Sequence, residues 1–143
     1  MRDAFTKAFM KRAASGDSMS LVVPLNPVPA SRPRVSKWGT YYLKTYTKWM
    51  KQAKLHLPDG VDDPHYDKHP VAVLTEFVVK RPQRTKREWP IGDIDNYEKA
   101  AWDAITKCRA VWDDDDQILF SVSSKRYTHD NEEPHTRVVV IAL

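Results

Sequence analysis

The sequence predicts an α+β fold: one domain whose mixed sheet of about four strands carries helices packed on one side. Three observations lead there. Val71 to Val79 (VAVLTEFVV) is apolar on both faces, which suits a strand in the middle of a sheet. Two longer stretches repeat their apolar residues at helical rather than strand spacing. From end to end the order is strand, helix, strand, helix, strand, strand, with no internal repeat and no glycine-rich phosphate loop, and 143 residues suffice for one core but not two.

Residues 1–18 read as a separate helix or arm, because Phe5, Ala8, Phe9 and Arg12 have helical spacing and Ser15-Gly16 stops it. The domain proper spans 19–143. Met19 to Leu25 (MSLVVPL) is a short apolar strand, and Pro24 marks its end or a sheet edge. Pro27 to Arg34 is stiff, extended and basic, and continues to Lys37, Trp38, Tyr41 and Tyr42. Proline fixes φ there and holds Arg32 and Arg34 outward at little entropic cost. Cations interleaved with aromatics are the mixture that grips phosphates and stacks exposed bases; an ordinary polar loop is the plainer alternative.

Leu43, Tyr46, Thr47, Met50, Ala53, Lys54 and Leu57 form a helical stripe from about Tyr42 to Leu57, ended by Pro58-Asp59-Gly60. Val61 to Pro70 is a polar loop whose His65, Asp67 and His69 fit no standard zinc spacing. After the central strand comes Lys80-Arg81-Pro82-Gln83-Arg84-Thr85-Lys86-Arg87, with five cations in eight residues, a segment expected to be a mobile, solvated loop. Beyond the helix described next, Gln117 to Val122 reads as a strand with Ile118, Phe120 and Val122 alternating, and Lys125-Arg126 at its far end. A polar turn through Asn131 and Pro134 leads to the last strand, Thr136 to Leu143 (TRVVVIAL), expected to pair antiparallel with its predecessor as a hairpin.

Most of the chemistry lies in Gly92 to Gln117, GDIDNYEKAAWDAITKCRAVWDDDDQ. Asp93 and Asp95 are two residues apart, so both carboxylates point to one side of an extended backbone, as a divalent-cation pocket requires. Tyr97, Ala100, Ala101, Ala104, Ile105 and Cys108 then recur at helical spacing. Asp95 with Glu98 makes a capping box, with Asp95 as N-cap and Asp93 as the last extended residue. Lys99 falls one turn beyond Asp95, off the apolar stripe, and sets a cation beside the acids. A helix-start Asp is by itself a cap, and a run such as Asp113 to Asp116 is by itself a solvated turn. Their combination around one helix, with a lysine on its first turn, points instead to a metal site, because concentrated acids repel one another until a divalent cation joins them.

Composition narrows the partner. The chain has 23 Lys and Arg against 19 Asp and Glu, and most of the acids lie between Asp59 and Asp116, so the rest of the surface is more basic than the sequence pI of 9.2 suggests. Nucleic acid suits such a surface. There is neither an 18-residue apolar run nor an apolar stretch near the N-terminus, so a membrane span and a secretory signal are not expected and a cytoplasmic setting is. The one cysteine, Cys108, lies on the apolar stripe and reads as a buried structural thiol.

Asp93-Ile94-Asp95-Asn96, Lys99-Ala100, Asp103-Ala104, Trp112 and Asp114-Asp115-Asp116-Gln117, in that order, resemble the signature of the RusA-type Holliday junction resolvases, often encoded by phages or prophages. The resemblance covers about a sixth of the chain. It implies a Mg²⁺-dependent endonuclease, with Mn²⁺ able to substitute, acting as a homodimer on branched DNA at four-way junctions. It places Asp93 and Asp95 as paired metal ligands, Lys99 as the catalytic lysine and Asp115, two residues before Gln117, as the third acid. The assignment of Asp115 among four consecutive aspartates rests on that count alone. Lys107 to Val111 departs from the family by lacking a glycine after the helix. The cations expected to hold DNA are Arg32, Arg34, Lys37, Lys80, Arg81, Arg84, Lys86, Arg87 and Lys125. The competing readings are a non-catalytic, structure-selective DNA-binding module and a small phosphotransferase or phosphatase.

Overall fold

The computed structural model describes residues 18–41, 43–60, 66 and 68–143, with Lys7 and Lys11 before them. The helix or arm expected over residues 1–18 therefore lies outside the described residues except at Lys7, Lys11 and Ser18, and Tyr42, His65 and Asp67 lie outside them too. In chain order the elements are β1 (Ser18–Val23), β2 (Arg34–Ser36), β3 (Gly39–Tyr41), α1 (Lys44–Lys54), β4 (Val71–Val79), α2 (Ile94–Cys108), a 3₁₀ turn (Asp115–Gln117), β5 (Ile118–Tyr127) and β6 (His135–Ala142).

Four strands form one mixed sheet in the order β1-β6-β4-β5, and β2 and β3 form a separate antiparallel hairpin. The apolar sequence of β4 is explained by this order: it is an inner strand, with Val71, Val73 and Phe77 turned to the helices and Ala72 and Val78 buried on the opposite face. Residues facing the helices run in rows across the sheet, such as Leu21, Val138, Thr75 and Ser123. Both helices contribute to the main core, through Tyr46, Trp49, Met50 and Ala53 of α1 and Ala100, Ala104 and Ile105 of α2. Trp112 is fully buried beside them, its indole N–H donating to Thr106 Oγ1 at 2.8 Å.

The structure corrects four expectations. β5 and β6 do not form a hairpin: β4 lies between them, parallel to β5 and antiparallel to β6. Placing β5 beside β4 by way of α2 makes a strand-helix-strand crossover, which buries the apolar stripe of α2 against the sheet. Second, Ile118, Phe120 and Val122 do not share a face. Val71 pairs with Ile118 but Ala72 with Phe120, so Leu119 is an extra, bulged residue, 69% exposed, and the strand changes face there. Third, α2 begins at Ile94 with Asp93 as N-cap, two residues earlier than the capping box of Asp95 and Glu98 would have it, so Asp95 lies within the helix and not after an extended Asp93. Lastly, the extended basic segment folds at its end into the β2/β3 hairpin, with Lys37 and the 86% exposed Trp38 at the turn and Gly39 at φ 121°.

Candidate active site

Gly92 sets the entry to α2. Its φ is 106°, and a Cβ there would lie 3.1 Å from the Tyr97 ring and 3.4 Å from Pro29, so only glycine fits without displacing a neighbour. Tyr97 is buried against Phe77, ring centroids 5.4 Å apart, and its hydroxyl donates to the Ile91 carbonyl at 2.7 Å. From the other side Lys125 Nζ donates to the carbonyls of Pro90 and Gly92. The Ala30 N–H donates to the Asn96 carbonyl at 2.8 Å, which joins the Pro-rich segment to the first turn of the same helix. Three separate parts of the chain thus fix the backbone that carries Asp93 and Asp95.

Asp93 caps α2 only through its carbonyl, which accepts from the amides of Asn96 and Tyr97; its side chain makes no capping hydrogen bond. The exposed carboxylates of Asp93 and Asp95 are thus not engaged in ending the helix. Glu98, half-buried one turn later, has its carboxyl pushed up by burial and by the charge of Asp95, an effect opposed by the hydroxyl of Ser123 on β5. Capping-box spacing from Asp95 marked Glu98 as part of a cap; its position near Asp95 and Ser123 of β5 makes it a third acid at this end of the helix.

The acidic run after Trp112 is shaped by Gln117. Its Oε1 accepts from the amides of Asp113 (2.9 Å) and Asp114 (3.1 Å), and its Nε2 donates to the carbonyls of Tyr66 (2.9 Å) and His69 (2.8 Å). Asp114 completes a capping box with Gln117 around the 3₁₀ turn, and Asp113 is paired with Arg109 at 2.8 Å. Of the four aspartates only Asp115 is partly buried. Burial pushes its carboxyl above the usual range, and a hydrogen bond with Asp114 and the charges of Asp114, Asp103 and Asp116 add to that. Asp103, two turns of α2 beyond Asp95, is a further acid beside Asp115; Asp103-Ala104 stood in the signature without a role.

The acids therefore gather in two groups on one flank of α2: Asp93, Asp95 and Glu98 at its start, Asp103 and Asp115 two turns on. Between them sits the exposed Lys99, four residues from both Asp95 and Asp103. Among the described residues no group of three or more His, Cys, Asp or Glu side chains is placed to hold a metal ion. The donor set is all carboxylate oxygen, which fits a hard cation, and Mg²⁺ commonly takes only one or two carboxylates and completes its shell with water and substrate phosphate.

The cations named in the sequence fall in three separate places. Arg32, Arg34 and Lys37 are exposed on and before the β2/β3 hairpin, with Lys37 Nζ 5.0 Å from the Trp38 ring centre. The loop from Lys80 to Arg87 is tied at its start, where the Lys80 and Arg81 amides donate to Asn26 and Thr128 side chains and the Arg81 guanidinium lies over Tyr127. Arg84 and Lys86 beyond are exposed, and Arg87 Nε donates to the Trp89 carbonyl at 3.4 Å. Lys125 differs from these, since its ammonium is half-buried under the 90–92 backbone.

Carboxylates at the start of α2 that do not cap it, acids crowded around Asp115 and exposed cations on two loops suit a protein that handles the phosphates of nucleic acid. The family model of endodeoxyribonuclease RusA matches residues 24–141, and the chain belongs to that family of endodeoxyribonucleases, which resolve Holliday junctions. No curated protein matches the chain. Among the described residues no helix is long and apolar enough to cross a membrane.

Proposed function

We propose that the domain spanning residues 19–143 hydrolyses phosphodiesters at four-way DNA junctions with Mg²⁺, Mn²⁺ being able to replace it, and that Asp93, Asp95 and Asp115 are ligands of one or two metal ions. The observation that carries this reading is the set of acids along α2: Asp93, whose side chain makes no capping hydrogen bond, Glu98 beside Asp95, and Asp115 beside Asp103, Asp114 and Asp116, where a nearby positive charge would bring relief from the crowding. A bound divalent ion would supply that relief, together with Lewis-acid charge and an ionised water.

The chain's own residues divide the remaining work. Asp93 and Asp95 are presented on a backbone fixed by Tyr97, Lys125 and Ala30, so their separation does not depend on flexible side-chain caps. Gln117 orients the acidic turn that carries Asp115. Lys99 places a positive charge between the two acid groups, where it stabilises charge on the phosphate or protonates the leaving 3′ oxygen. Arg32, Arg34, Lys37, Lys80, Arg81, Arg84, Lys86 and Arg87 contact backbone phosphates, offsetting the repulsion between DNA and the acids. A junction with twofold symmetry is served by two copies of the chain as a homodimer, acting in the cytoplasm.

Incubation of the protein with a labelled synthetic four-way junction and with the matching linear duplex, in Mg²⁺, in Ca²⁺ and in EDTA, tests this. Cutting is expected on the junction in Mg²⁺ only, with binding retained in Ca²⁺, whose larger, looser coordination shell fixes an in-line geometry poorly. Equal cutting in EDTA would exclude the metal mechanism, and binding with no cutting in any metal would return the non-catalytic module.

A further inference from the structure

Between α1 and α2 runs an open cleft of about 340 Å³. Lys51 and Lys54 line it from α1, Lys99 and Lys107 from α2, and Asp103 is the only acid among its lining residues. The Tyr46 hydroxyl, 3.5 Å from Asp103 Oδ2, donates to that carboxylate. Four positive charges thus face one negative charge that is itself shared with Tyr46 and with the Asp115 group. Among the described residues none of the four lysines forms an ion pair.

Sequence spacing shows that this is a built feature of two helices. Lys44, Lys48, Lys51 and Lys54 recur at three- and four-residue intervals along α1, and Lys99 and Lys107 are eight apart on α2. Like charges at these intervals destabilise a helix by a few tenths of a kcal/mol per pair, a repulsion that an anion in the cleft would offset. Eight helical residues span about 12 Å, more than one phosphate group covers. A cleft of that length suits consecutive phosphates of a polymer better than one free phosphate group.

We propose that the α1/α2 cleft is a phosphate track which holds the backbone of one DNA strand as it leaves the acidic site. Lys99 belongs to both, which makes the track continuous with the site; in this the inference rests on the proposed function. Lys51, Lys54 and Lys107 act as point charges on the backbone and read no sequence. Asp103, held by Tyr46, keeps the strand on the lysine side of the cleft by repelling it from the wall toward Asp115.

Fluorescence anisotropy with a labelled four-way junction, in EDTA and over a salt series, tests the track separately from hydrolysis. The triple variant Lys51→Gln/Lys54→Gln/Lys107→Gln should lower the slope of log affinity against log salt by roughly two to three, at about 0.9 per lost phosphate contact. Lys→Arg at the same three positions should restore it, and Arg137→Gln, which removes a charge from β6 outside the cleft, should leave it unchanged. An unaltered slope in the triple Gln variant, with an unaltered melting temperature, would overturn the proposal, as would an equal fall in Arg137→Gln. Cleavage by the unmodified protein, assayed in Mg²⁺, reports on hydrolysis alone.

Discussion

Lys125 donates its ammonium protons to the carbonyl of Gly92, the residue immediately before Asp93, and so a strand 33 residues away along the chain fixes the start of α2. Charge groups Lys125 with the cations expected to hold DNA; its hydrogen bonds to the Pro90 and Gly92 carbonyls add the expectation that it positions the start of α2. Lys125→Met, which keeps the length of the stem, should lower the single-turnover cleavage rate by about tenfold or more, the scale expected when a site is slightly misplaced. Junction affinity and its salt slope should stay as they are. A slope reduced by about one would restore Lys125 to the phosphate contacts.

Asp115→Asn separates function from stability. The carboxyl of Asp115 is raised above its ordinary 3.8, so the fold favours its protonated form. Its contribution to stability is present below about pH 4 and is lost as pH rises through the folded value. The neutral Asn variant should therefore melt higher than the parent at pH 7 in EDTA, with the difference vanishing toward pH 3. Cleavage in Mg²⁺ should fall on the order of a hundredfold or more, the scale for losing a group that stabilises transition-state charge. Asp113→Asn loses only an exposed ion pair with Arg109 and should keep its activity. A variant Asp115→Asn of full activity would move the third ligand elsewhere in the run.

Gln117→Leu should be among the more damaging single changes on the surface. Two amide donors and two carbonyls lose their side-chain partner at once. At about 1 kcal/mol per hydrogen bond, and with only part of the site buried, a loss of about 2–3 kcal/mol is expected in urea unfolding. Cleavage should fall by more than the unfolded fraction explains, because the turn carrying Asp115 loses its anchor.

Arg109 ends α2 at φ 49° and ψ 42°, the left-handed conformation that glycine adopts without strain. The family's glycine is missing at this turn, and the arginine takes its backbone shape regardless. Arg109→Gly removes about 1–2 kcal/mol of left-handed strain and loses an exposed pair with Asp113 worth about 0.2–1 kcal/mol. A net gain of about 0.5–1 kcal/mol is expected from chemical denaturation, and a net loss would show that the Arg109 pair outweighs the strain.

Glu132 accepts from both terminal nitrogens of Arg126, at 2.6 and 2.9 Å, which lowers its carboxyl to about 2. Its folded value lies below the ordinary 4.5, so the stabilisation is present above that value and lost as pH falls through about 2. Glu132→Gln should therefore melt lower than the parent at pH 7, and the two should converge as pH falls toward 2. A constant difference across that range would assign the effect to packing instead.

Local patterns determined the elements of this protein. The apolar stripe of α2, the two-sided apolar strand β4 and the Asp93, Asp95, Lys99 spacing depend only on residues within a few turns of one another, so periodicity and motif reveal them directly. Order in the sheet is another matter. Putting β4 between β5 and β6 depends on where a crossover through α2 lands, a contact between residues far apart in sequence that no local period records. The bulge at Leu119 shows the same limit at one residue: three apolar side chains in succession leave the face undecided, and only pairing with Val71 and Ala72 decides it. In the site, the acids were legible as residue types, but that Asp103 faces Asp115, that Glu98 sits beside Ser123 and that Lys125 lies beneath Gly92 came from packing α2 across β5. The lysines of α1 and α2 come together at one cleft only in the tertiary structure, because charge repulsion between helices exists only once the helices are side by side.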